Sequence, residues 1–117
     1  MESILFVSNQ QISTAQLQDA VREMGGSWDA DPTLQQGVVF RNGVSLYLNA
    51  PMVPSVEYDD EEIKTMTKQL GAKPQTIICI DIGHGEGAFD FANIIGTELV
   101  RRWGGIIDDN GICDEHY

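Results

Sequence analysis

An unbroken apolar run, Ile4-Leu5-Phe6-Val7, opens the hydrophobic pattern of the chain and predicts a strand buried on both faces. Leu17, Val21 and Met24 then recur at helical spacing. Ser13 and Gln16 before them form a capping box, and Gly25-Gly26 supplies the stop, so a first helix closes near Met24. Val38-Val39-Phe40-Arg41 and Val44-Ser45-Leu46-Tyr47-Leu48 flank Asn42-Gly43, the dipeptide that best tolerates the positive φ angles of a type I′ turn; they predict a hairpin. Pro51 and Pro54 make a loop of the stretch from Asn49 to Tyr58. Asp59 caps a second helix, Glu62 closes its box, Ile63, Met66 and Leu70 form its apolar stripe, and Gly71 and Pro74 end it. Thr76 to Ile82 is the most β-branched stretch and predicts the central strand. A glycine-rich turn, Gly83 to Gly87, leads to a third helix with Phe91, Ile95, Leu99 and Trp103 on one face. Gly104-Gly105 stops that helix before a short last strand at Ile106-Ile107.

These elements predict an α/β (α+β) fold: a mixed five-stranded sheet with three helices in the order β-α-β-β-α-β-α-β. The two strand-helix-strand crossovers call for parallel neighbours, while the Asn42-Gly43 hairpin imposes an antiparallel pair. At 117 residues with 42% hydrophobic content, the chain is expected to be a single domain over 1–117, with an acidic C-terminal tail from about residue 110. The N-terminus has no basic flank and no small-residue cleavage site, and no apolar run is long enough to span a membrane, so a cytoplasmic protein is expected. Cys79 falls inside the predicted central strand as a buried, inert thiol and Cys113 falls in the polar tail; a reducing compartment suits both.

Charge narrows the function. The chain carries 18 Asp+Glu against 7 Lys+Arg, a formal charge of −11. Such a surface repels nucleic acid and anionic membrane and attracts a basic protein, although the same charge also serves solubility alone. The sharpest enzyme-like pattern is Gly83-x-Gly85-x-x-Ala88 with Asp108 about 20 residues further on, which fits a dinucleotide-binding fingerprint. Against it, Glu86 and Asp90 place carboxylates where phosphates would sit, with no Lys or Arg between Lys73 and Arg101. About ten residues follow Asp108, too few for the third strand of a mononucleotide-binding half. His84, near Asp81 and Glu86, has no neighbouring nucleophile in sequence and reads as a turn residue. The tail Cys113-Asp114-Glu115-His116 lacks the ligand spacing of a metal site. The chain is therefore expected to be no enzyme and to use no cofactor or metal. The alternative is a small nucleotide- or metal-binding enzyme using the Gly83–Ala88 turn.

The acidic run from Glu57 to Glu62 holds more charge than a helix cap needs. Asp59 and Glu62 serve the cap; Glu57, Asp60 and Glu61 remain, beside a proline-bounded loop presenting Met52, Val53, Val56 and Tyr58. An aromatic anchor at Tyr58, ringed by Glu57, Asp60 and Glu61, is the pattern of a patch that binds a basic protein. Asp108, Asp109, Asp114 and Glu115 form a second acidic set.

The C-terminal half, with its capped helix ending Leu70-Gly71, the strand Ile77 to Ile82, and Ala92, Gly96 and Leu99 leading to Trp103-Gly104-Gly105-Ile106-Ile107-Asp108, resembles small bacterial immunity proteins of contact-dependent growth inhibition and other polymorphic toxin systems. The resemblance covers about half of the chain. It implies a protein without enzymatic activity that binds a cognate toxin domain, often a nuclease, and covers its active site. No functional residue carries over by motif, so the candidate binding residues are those chosen by charge and exposure.

Overall fold

The computed structural model describes residues 2–29, 33 and 35–108. Two strands buried on both faces form its middle: β1 (Glu2–Ser8) and β5 (Thr76–Ile82), paired antiparallel along their whole length from Glu2 opposite Ile82 to Ser8 opposite Thr76. Their continuous apolar runs are what a doubly covered strand requires. Beside β5 lie β4 (Val44–Asn49), β3 (Gln36–Arg41) and the two-residue β2 (Ser27–Trp28); beside β1 lies β6 (Ile106–Asp108). The single sheet has the order β2-β3-β4-β5-β1-β6, and every neighbouring pair is antiparallel.

The expected mixed, five-stranded sheet is thus corrected to six antiparallel strands. The extra strand is β2, too short to show as a hydrophobic period; it pairs Trp28 with Gly37. The missing parallel ladder has a topological cause. Since β5 and β6 both run antiparallel to β1, they are parallel to each other, as their helical crossover demands, but β1 lies between them.

Three helices complete the α+β fold. Helix α1 (Thr14–Glu23) and helix α2 (Asp60–Leu70) both open on the predicted capping boxes: Ser13 and Gln16 bond reciprocally, as do Asp59 and Glu62. Helix α3 (Ala88–Trp103) opens on Gly87 at φ 81° with no side-chain cap. Leu17 and Val21 of α1 and Phe91, Ile95 and Leu99 of α3 pack on one sheet face against Ile4, Phe6, Leu46, Leu48, Ile78 and Ile80. On the other face, Met66, Ile63 and Leu70 of α2 pack with Tyr58 against Leu5, Val7, Ile77 and Cys79. Cys79 is buried as expected, but it is disulfide-bonded and so not the free thiol anticipated.

Among the described residues, the second face is covered only in part. β3 and β4 alternate strictly: Gly37, Val39, Leu46 and Leu48 are buried toward α1 and α3, while Val38, Phe40, Ser45, Tyr47 and Asn49 on the α2 side are half-buried or exposed. This is the signature of antiparallel strands with one face uncovered.

Candidate acidic binding site

Helix α2 begins where the acidic run ends its turn. Asp59 accepts the Glu62 amide at 2.8 Å and Glu62 Oε1 accepts the Asp59 amide at 3.0 Å, so these two carboxylates are committed to the cap. Asp60 and Glu61 in the first turn are exposed and Glu57 is half-buried. Glu61 meets Lys64 one turn on at 3.5 Å, an exposed pair of little weight. The other ion pairs of the described residues lie elsewhere: Arg22 with Asp19, Arg101 with Glu98, and Arg102 with Glu98 and, at 2.6 Å, with Glu23 across α1 and α3. Lys64 answers Glu61 and Lys73 lines a hollow with Asp60, yet Glu57, Asp59, Asp60, Glu61 and Glu62 outnumber them, so the start of α2 keeps a surplus of negative charge.

Tyr58 is not the exposed anchor that the sequence suggested. It is 6% exposed, inside the core beneath α2, and its hydroxyl donates to Asp108 Oδ2 at 2.8 Å. Burial first, then the hydrogen bond and the neighbouring charges of Asp108, Glu62 and Glu57, push the phenol well above its ordinary titration range. The exposed apolar groups beside the acids are instead Val53 at 59% and Val56 at 57%, flanking the single 3₁₀ turn Pro54–Val56; Met52 is held half-buried by its bridge to Ile77. The loop's apolar character was legible in sequence. Which of its members turned inward was not.

The Tyr58–Asp108 bond brings the two acidic sets together, as far as the described residues go. Asp108 is half-buried at the end of β6; Asp109, Asp114 and Glu115 lie outside the described residues. Between α2 and β6 runs a groove of about 640 Å³ lined by Tyr58, Glu62, Thr65, Met66, Gln69 and the three residues of β6. Each wall carries one carboxylate, Glu62 on α2 and Asp108 on β6.

The glycine turn after β5 has a packing explanation. A Cβ on Gly83 would sit 2.7 Å from the Ser45 carbonyl oxygen, to which the Gly83 amide donates at 2.9 Å, so glycine is needed for the close approach to β4. Glu86 and Asp90 line a small hollow with Arg41, which sequence spacing could not place there; the Arg41 guanidinium lies 4.9 Å from the Phe91 ring centroid. His84 is exposed. Among the described residues, no three His, Cys, Asp or Glu side chains are grouped to hold a metal ion, and no helix is long and apolar enough to cross a membrane. Comparison with protein-family models, curated proteins and solved structures yields no match.

Proposed function

We propose that this chain is an immunity-type inhibitor that binds a basic domain of a cognate toxin, a nuclease domain being one such target, and neutralises it by covering its working surface. The observation that carries this reading is the concentration of carboxylates at the start of α2, Glu57, Asp60 and Glu61, with Val53 and Val56 exposed in the adjoining turn and Asp108 joined to that end of the helix through Tyr58. Like-signed carboxylates around a small apolar area attract a basic surface at a distance and then exclude water from it. Such a protein acts by stoichiometric contact, without a cofactor, and its acidity disfavours nucleic acid and anionic membrane as direct partners.

The cytoplasm is the proposed compartment on the sequence argument. The disulfide at Cys79 counts against it, because such bonds persist mainly in oxidising compartments. Thiol alkylation and mass measurement of protein taken directly from cells decides between the two.

The functional test is co-expression with the cognate toxin domain, identified by co-purification or gene neighbourhood. Growth restored by the chain, with a one-to-one complex recovered from the same cells, supports the proposal; toxin activity undiminished by excess chain overturns it.

A further inference from the structure

We infer that the part of the sheet on the α2 side that the described residues leave open, around Phe40 and Tyr47, is a docking floor for an arginine- or lysine-bearing segment of a protein partner, an inference that rests on the reading of this chain as a binder of a basic protein. Register defines the floor. Val38 pairs with Tyr47, Tyr47 with Asp81 and Asp81 with Ser3, so these side chains form one row across β3, β4, β5 and β1 on the same face. Phe40, two residues along β3 from Val38, shares that face and is 65% exposed. Burial of its β3 neighbour Val39 on the opposite face confirms the alternation.

The polar part of the row is fixed in place. Ser3 Oγ donates to Asp81 Oδ1 at 2.7 Å and Asn49 Nδ2 donates to Asp81 Oδ2 at 3.1 Å. These bonds orient the carboxylate and leave it acceptor capacity, since each carboxylate oxygen accepts about two hydrogen bonds. The neighbouring row adds charge: Asp108 stands opposite Leu5, two residues from Ser3 on β1, and the Tyr58 bond holds the acidic start of α2 at that end of the face. Tyr47 stands next to the held carboxylate and Phe40 one diagonal step beyond Tyr47, a spacing that suits a segment with several guanidinium or ammonium groups, one stacking on a ring while another bonds the acid. Charge complementarity selects the occupant: a second copy at −11 is repelled, whereas a basic segment is drawn in.

The test is an amide chemical-shift titration of the whole chain with an octa-arginine peptide, repeated on Phe40→Ser, Tyr47→Ser and Asp81→Asn. The expected result is saturable shifts at Val38, Phe40, Tyr47 and Asp81, with affinity about fivefold weaker in Phe40→Ser, the weight of one cation–π contact. Phe40 is mostly exposed, so its variant folds and keeps the test readable if Tyr47 or Asp81 proves structural. Shifts confined to Asp60 and Glu61, or unchanged affinity in Phe40→Ser, overturn the floor while leaving the acidic face of α2 as the binding site. A chain that sediments as a dimer until Phe40 is changed also overturns it, by making a second copy the occupant.

Discussion

The hydroxyl of Tyr58 donates a 2.8 Å hydrogen bond to the carboxylate of Asp108, joining the start of α2 to the end of β6 across 50 positions of sequence. This contact ties Asp108 of the second acidic stretch to the start of α2, where it lines one groove with Glu62. It also turns Tyr58 from a surface residue into a core one, because a phenol that reaches a carboxylate from below α2 must bury its ring among Leu5, Val7 and Met66.

Tyr58→Phe removes the hydroxyl and keeps the ring. The expected cost is about 1.5–3 kcal/mol near neutral pH, the usual range for a hydrogen bond to a charged partner, read as a shift in urea midpoint without a change in slope. The cost depends on pH in a defined direction. The phenol titrates higher in the folded protein than in the unfolded chain, so its stabilisation is fully present below the unfolded value of about 10 and is lost as pH rises above it. The gap between wild type and Tyr58→Phe should therefore narrow from about pH 10 upward. A gap that widened would mean the phenol ionises more readily when folded.

At the hairpin, Asn42 has φ 51° and Gly43 has φ 83°, the left-handed pair expected of this turn. A Cβ on Gly43 would meet nothing within 4 Å, so a substitution there reports backbone strain alone. Gly43→Val should cost about 1–3 kcal/mol in thermal melts, and Gly43→Asn markedly less, since asparagine tolerates this region.

Gly105 combines strain with a collision. Its φ is 131°, and a Cβ would lie 2.2 Å from the Val7 carbonyl oxygen, backbone that β1 holds in the sheet. Gly105→Ala should cost about 3 kcal/mol or more, exceeding Gly43→Val, and circular dichroism melts of the two variants compare them directly.

Local chemistry was legible in the sequence because it is written locally. The Ser13–Gln16 and Asp59–Glu62 boxes, the Asn42-Gly43 turn and the bounds of β5 each depend on residues within a few positions of one another. Strand order is not written that way: the insertion of β1 between β5 and β6 pairs residues about a hundred positions apart and removes the parallel ladder that the α3 crossover alone suggests, while β3, β4 and β5 separate β1 from the strand that follows α1. Trp28 anchors a strand of only two residues, below any periodicity. Of the candidate site, Asp60 and Glu61 were placed correctly on the surface because a helix's first turn is exposed by default. Tyr58 was misplaced because acids on both sides hid the inward turn of a residue whose partner, Asp108, is remote.

The central claim is that the acidic start of α2 meets a basic toxin domain, and association kinetics test it most directly. Asp60→Lys combined with Glu61→Lys leaves the Asp59–Glu62 cap intact and removes no ion pair among the described residues but the exposed Glu61–Lys64 one, so a thermal melt confirms the fold before binding is read. Binding of this variant and of wild type to the cognate toxin domain, once identified by co-purification or gene neighbourhood, should be timed at low and high salt. The account predicts slower association for the variant, with a flattened salt dependence and little change in dissociation. A variant that associates as fast and as salt-sensitively as wild type would contradict it.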